Sequence, residues 1–212
     1  MRFLGSLGAL ALPVLLVATT WAGGPPAAAR PDCPIADPDS SILTVTFEIP
    51  GRDVVTIVPD GRSETLAANG ISIVAVVKYL SGVPAAGIPS QEMVLFNPGL
   101  CLCPGGNIAD APTDITGRTT FRGMLQGGGS CESLQMYVDG VLLGSFPIRV
   151  NSPDLNADCA VDGGDICAFA PRLGTRVGNP GYTFAADFNE DGAVDAGDLS
   201  RLASSLGARC GF

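Results

Sequence analysis

Between Ser41 and Val150 apolar and polar residues alternate in short runs, the period-two rhythm of strands with one face turned inward. Ile42 to Phe47, with Thr44-Val45-Thr46 at its centre, is the first such run. Val54 to Val58, Ile71 to Tyr79, Met93 to Phe96, Thr119 to Phe121, Leu134 to Val138 and Val141 to Val150 follow. Turn formers separate them: Pro50-Gly51, Asp60-Gly61, Asn69-Gly70, Asn97-Pro98-Gly99 and Gly127-Gly128-Gly129. Asp139-Gly140 sits between Met136-Tyr137-Val138 and Val141-Leu142-Leu143 and predicts a two-residue hairpin. Six or seven short strands in about 110 residues predict a β-sandwich.

At Asn151-Ser152-Pro153 the pattern changes. Ile166, Phe169, Ala170 and Leu173 recur at helical spacing, as do Leu199, Leu202, Ala203 and Leu206. The spacing predicts helices from Asp165 to Leu173 and from Asp198 to Leu206, whose apolar stripes pack on each other. Pro171 should shorten or kink the first helix. Gly174 and Gly207 stand where helices are capped.

The N-terminus reads differently again. Arg2 precedes an apolar run from Phe3 to Ala18, with small residues at Thr20-Trp21-Ala22 and Ala27-Ala28-Ala29. This is the layout of a secretory signal peptide over residues 1–29, cleaved after Ala22 or Ala29. Residues 30–40 read as an irregular segment, 41–150 as the sandwich and 151–212 as a separate helical module. The expected mature protein is secreted or at the cell surface, with no insertion in the membrane after cleavage. Seven cysteines suit an oxidising compartment, and their odd number leaves one thiol unpaired. A net charge of −9 argues against nucleic acid as a partner. The chain has no histidine, which excludes Ser-His-Asp and Cys-His catalysis and His-ligated zinc.

Two acidic loops carry the clearest chemistry. Asp154 to Asp165 and Asp187 to Asp198 match position for position, 33 residues apart, and the match runs on into the helices. Calcium takes six to eight oxygens, which loops of this kind supply from positions 1, 3, 5, 7, 9 and 12. Those positions hold Asp154, Asn156, Asp158, the Ala160 carbonyl, Asp162 and Asp165 in the first loop. In the second they hold Asp187, Asn189, Asp191, the Ala193 carbonyl, Asp195 and Asp198. Two Ca2+ ions are therefore expected. Val161 and Val194, at position 8, should turn inward and pair the loops. Position 6 needs a positive φ; Gly192 adopts it freely, whereas Cys159 does so at about 1–2 kcal/mol. The first loop is then the weaker site, unless a disulfide holds its turn.

Asp at position 12 and the lack of a helix before either loop (Pro153 precedes one; Gly178, Pro180 and Gly181 precede the other) resemble the dockerin family. That resemblance implies a small all-α calcium module with approximate two-fold symmetry, and a cohesin-like partner met by loop positions 10 and 11 and the helices that follow. Positions 10 and 11 hold Gly163-Gly164 and Ala196-Gly197, where cellulosomal dockerins often carry a Ser-Thr or similar polar pair. On the second helix Arg201, Ser204 and Ser205 lie off the apolar stripe, should face solvent and are the candidate partner-binding residues. Because dockerin repeats bring their ends together, Cys159 with Cys210 is the first expected disulfide; Cys131 is expected to reach Cys101 or Cys103. Cys101-Leu102-Cys103 alone offers too few ligands for a metal site. In the sandwich, Gly82-Val83-Pro84-Ala85-Ala86-Gly87 and Thr113-Asp114-Ile115-Thr116-Gly117-Arg118-Thr119-Thr120-Phe121 resemble the immunoglobulin-like modules of invasin-type bacterial surface proteins.

These readings converge on a secreted, non-catalytic calcium-binding protein for protein–protein assembly, linked through the dockerin resemblance to extracellular polysaccharide processing. A carbohydrate-binding or adhesive surface protein is the alternative. A small glycoside hydrolase is disfavoured, because the acidic residues of the sandwich show no facing pair.

Overall fold

The computed structural model describes residues 35–211. The leader over 1–29 and Cys33 lie outside the described residues. Alternation places the strands as it should. In β1 (Ile42–Phe47) the side chains of Leu43, Val45 and Phe47 turn inward, and in β3 (Ile71–Val76) those of Ile71, Ile73 and Ala75 do. β2 covers Val54–Thr56, β4 Met93–Phe96, β5 Leu100–Leu102 and β6 Arg118–Phe121. β7 covers Gly127–Gly129, β8 Leu134–Val138, β9 Val141–Phe146 and β10 Arg149–Asn151.

The strands form two antiparallel three-stranded sheets, ordered β1-β3-β6 and β4-β8-β9. One apolar core draws on both: Ile73 and Phe121 from the first, Met93, Leu95, Leu134 and Met136 from the second. The β8–β9 hairpin turns at Asp139 (φ 47°) and Gly140 (φ 78°), both left-handed, which matches the twist of the flanking strands.

Three expected strands are shorter than the sequence suggested; the run from Val54 ends at Thr56 rather than Val58. The run from Ile71 keeps regular pairing only to Val76. The run from Val141 breaks around Pro147, which has no N–H to give a ladder. The chain then re-enters as β10, which pairs in parallel with β2. Two strands went unrecognised. β5 and β7 form an antiparallel ribbon, and β7 is the Gly127-Gly128-Gly129 stretch expected to be a turn. The glycines are needed because the first acidic loop lies on this strand. A Cβ on Gly128 would overlap the Asp154 carboxylate, and the Gly129 N–H donates to the Asp154 carbonyl at 2.7 Å. Gly128→Ala should therefore cost about 1–3 kcal/mol, as overpacking of a close contact does. Urea denaturation of the variant beside the parent measures it.

The strand half and the helical half are joined firmly. Asn151 is fully buried; its Nδ2 donates to the carbonyls of Asp187 (2.8 Å) and Phe184 (3.2 Å), and its Oδ1 accepts from Thr56 Oγ1 (2.7 Å). Disulfides join Cys101 to Cys159 and Cys103 to Cys210, with Cα–Cα distances of 5.7 and 5.1 Å. This corrects both expected pairings. Cys159 and Cys210 are each bonded to β5 or its end, and Cys131 reaches neither Cys101 nor Cys103. Among the described residues Cys131 is unpaired and buried, and Cys167 is unpaired and exposed. Burial pushes the Cys131 thiol up to about 11, so it stays protonated at neutral pH. Alkylation of the native protein at pH 8, followed by peptide mapping, should label Cys167 and spare Cys131 until the chain is unfolded.

Candidate metal centre

Both acidic loops fold around the same set of hydrogen bonds. At position 12, Asp165 Oδ1 accepts the N–H groups of Leu155 (2.8 Å) and Asn156 (3.2 Å), and its Oδ2 accepts that of Asp162 (2.8 Å). Asp198 does the same for Phe188 (2.6 Å), Asn189 (3.1 Å) and Asp195 (2.9 Å). Asp162 and Asp195, at position 9, cap the helices that follow, with Asp165 and Asp198 closing a capping box. One residue thus ends the loop and starts the helix. At position 1, the second carboxylate oxygen accepts the N–H of position 6: Cys159 to Asp154 at 2.9 Å, Gly192 to Asp187 at 3.0 Å. Asn156 and Asn189 donate to Asp158 and Asp191 at 2.9 and 3.0 Å.

Asp154, Asn156, Asp158, Ala160, Asp162 and Asp165 thus lie on one such hydrogen-bonded loop and Asp187, Asn189, Asp191, Ala193, Asp195 and Asp198 on the other. Position 6 is left-handed in both, at φ 68° for Cys159 and 85° for Gly192. The strained turn at Cys159 is the one whose side chain is bonded to Cys101.

The loops concentrate negative charge away from water. Asp154, Asp165 and Asp198 are fully buried and Asp187 nearly so. Burial, with the Asp165 charge second, pushes Asp154 up to about 6. Burial is also the main cause that raises Asp198. Asp187 Oδ1 is buried without a hydrogen-bond partner, although Tyr182 donates to its Oδ2 at 2.8 Å. A buried carboxylate oxygen with no donor wants a cation. The ligand set, carboxylates with an amide and a carbonyl, fits a hard, oxygen-seeking ion of the calcium type.

Val161 and Val194 are both fully buried, in one cluster with Phe169, Phe188, Leu202 and Ala208. The loops do not pair with each other directly. Val161 exchanges hydrogen bonds with Gly207 and Ala208, after the second helix, and Val194 with Gly174 and Thr175, after the first.

Helix α1 covers Gly163–Phe169 and gives way to a 3-10 turn over Ala170–Arg172, as Pro171 requires; α2 covers Ala196–Ser205. The stripes do not pack on each other as expected. Phe169 is buried and stacks on Phe188 at 6.0 Å, and Leu202 is buried, but Ile166, Leu173, Leu199 and Leu206 are 42, 48, 41 and 44% exposed. The reason lies in the loops. Asp165 and Asp198 must point inward to bind loop amides, so the buried faces run through Val161, Asp165 and Phe169 and through Val194, Asp198, Leu202 and Ser205. This rotates each helix so that the rest of its apolar stripe faces outward.

Arg201, Ser204 and Ser205 turn toward the strand half. Arg201 Nη1 donates to the Phe188 carbonyl at 2.7 Å, and both serine hydroxyls donate to the Arg201 carbonyl at 2.8 and 2.9 Å. All three line a groove of about 520 Å³ with Arg52, Arg62 and Glu190. Ser205 is buried, which corrects the expectation that all three face solvent; Arg201 and Ser204 are exposed. Sequence reasoning missed Phe188 and Tyr182. An aromatic at position 2 of the second loop, where the first has Leu155, was the available signal.

Residues 152–207 match the family described as the dockerin type I domain. No curated protein matches the chain. Among solved structures, the chain resembles two type II cohesin–X-dockerin complexes from Acetivibrio cellulolyticus. One is a C-terminal interface mutant (16% identity, TM-score 0.29) and the other an N-terminal interface mutant (15%, TM-score 0.29). Each match covers 60% of this chain and 90% of the other, and at such scores it carries no argument.

Proposed function

We propose, from the match of residues 152–207 to the dockerin type I domain, that the chain is a secreted, non-catalytic assembly protein that docks through calcium-loaded loops onto a cohesin-like partner. Two Ca2+ ions are held, one by Asp154, Asn156, Asp158, the Ala160 carbonyl, Asp162 and Asp165, the other by Asp187, Asn189, Asp191, the Ala193 carbonyl, Asp195 and Asp198. Bound calcium supplies the positive charge that these buried carboxylates lack. The observation that carries this reading is the unpartnered, buried Oδ1 of Asp187 at position 1 of its loop.

The partner meets the outward side of the helices. Ile166, Leu173, Leu199 and Leu206 offer apolar area there, while Arg201 and Ser204 lie on the other flank of α2, along the groove beside the strand half. Residues 41–150 act as an immunoglobulin-like spacer, a reading supported by two antiparallel sheets over one core. A boundary at 150/151 is supported by the end of β10 at Asn151, three residues before the first loop opens at Asp154. Export through the 1–29 leader and a role in polysaccharide processing complete the proposal. No helix among the described residues is long and apolar enough to cross a membrane.

A calcium-dependent pull-down against a cohesin panel tests the docking. Leu199→Asp with Leu206→Asp should weaken capture about tenfold or more, as loss of buried apolar anchors does. Arg201→Glu with Ser204→Glu should weaken it less. Capture that survives a calcium chelator, or that neither pair affects, would defeat the proposal.

A second reading, saccharide binding by the strand half, is favoured by one feature. Phe96 and Tyr137, 6.1 Å apart, line a hollow of about 400 Å³ with Val94, Leu102, Glu92 and Asp139. Affinity electrophoresis in neutral polysaccharide gels, with Tyr137→Ala as control, decides it.

A further inference from the structure

Four cysteines end at one place, and their sulfurs are chemically distinct from the oxygen-lined loops beside them. Cys101 and Cys103 stand two residues apart at β5, so they share one side of the strand. Cys159 comes from the turn of the first loop and Cys210 from the C-terminal segment. The Sγ atoms of Cys101, Cys159 and Cys210 all lie within 4.8 Å of one another, and Cys103 is bonded to Cys210. Cys103 and Cys210 are buried, and Cys101 and Cys159 half-buried. We propose that in the reduced protein these four sulfurs form a tetrathiolate zinc site, which joins the strand half to the helical half in place of the two disulfides.

The geometry suits this. Zinc bonds thiolate sulfur at about 2.3 Å, so the edges of its tetrahedron are about 3.8 Å, and sulfurs already gathered need only small rotamer shifts. The backbone around them is held without the disulfides. Cys210 N–H donates to the Cys159 carbonyl at 3.1 Å, Cys103 N–H to the Gln126 carbonyl at 3.3 Å, and Cys159 N–H to Asp154 Oδ2 at 2.9 Å. The ligands therefore stay gathered when the S–S bonds open. Soft thiolates select zinc, while the hard oxygens of the neighbouring loops select calcium, so the two ions do not compete.

The chemistry balances. A phosphine reductant gives two electrons to each disulfide and leaves as its oxide, taking the oxygen of water; the two water protons end on the thiols. Zinc then displaces four thiol protons. A disulfide oxidant reverses the sequence: it accepts the electrons, restores both S–S bonds and frees the metal.

The test uses the full chain, reduced with a phosphine under argon, stripped of metal, and held in excess calcium so that the oxygen sites are filled. Cobalt(II) is the probe. One equivalent should produce the charge-transfer and d–d bands of a tetrahedral tetrathiolate site, and one equivalent of zinc should bleach them. Cys33→Ser, Cys131→Ser and Cys167→Ser together leave only the four proposed ligands and should keep the bands. Cys103→Ser with Cys210→Ser should lose them, with unchanged circular dichroism separating ligand loss from misfolding. A reduced parent chain that shows no such bands, or bands that persist in a folded Cys103/Cys210 double variant, overturns the proposal.

Discussion

Asp187→Ala should remove one of two calcium-binding steps and lower affinity at the second loop on the order of 100-fold or more, since affinity in such loops follows ligand charge and rigidity. Asp187 occupies position 1, is only 3% exposed, and holds the turn by accepting the Gly192 N–H while its other oxygen has no partner. Alanine deletes both the ligand and the loop tie. Calcium binds the folded loop and not the unfolded chain, so saturation at a thousand times Kd contributes about 4 kcal/mol of stability. The variant should forfeit most of the share that comes from its own loop. Calorimetric titration reads the binding and calcium-dependent thermal unfolding reads the stability. Glu48→Ala, at an exposed strand end, should change neither. Two equal binding steps in the Asp187 variant would contradict the assignment.

Cys101→Ser with Cys103→Ser, in metal-free buffer, should destabilise the chain more than any other change considered. The disulfides close separations of 58 and 107 residues. Loop-closure entropy gives each roughly 4–5 kcal/mol, with less for the pair because the loops overlap. Urea unfolding monitored separately for strand and helix signals should then show two transitions where the parent shows one. Cys101→Ser with Cys159→Gly separates two effects. It removes one cross-link but gives the first loop the glycine that its left-handed position 6 favours, so calcium affinity there should be kept while the urea midpoint still falls.

The paired acidic loops were legible because the repeat holds residue type at fixed positions, and no tertiary knowledge is needed to see oxygen at all six. Strands with strict alternation were legible for the same kind of reason, as Leu43, Val45 and Phe47 illustrate. β7 was not. Three glycines carry no hydropathy pattern, and what makes them a strand, the pairing with β5 beneath the Asp154 side chain, is a contact between segments far apart in sequence. The disulfides failed for a related reason. Symmetry of the repeats suggested joining Cys159 to Cys210, but the strand half approaches both and supplies each with its own partner. The helix stripes misled because apolar spacing reports which residues lie on one face, and here buried aspartates decide which face turns inward.

The exchange of hydrogen bonds between Val161 and the chain after α2, and between Val194 and the chain after α1, has an ancestral corollary. Each repeat supplies the edge that completes the other, so a single repeat carries an unfilled edge and an unmatched valine. Two copies of one such unit would satisfy each other as a homodimer with the same contacts. Fusion of duplicated genes then needs only a linker, the stretch now running from Gly178 to Tyr182, to turn that dimer into the present module.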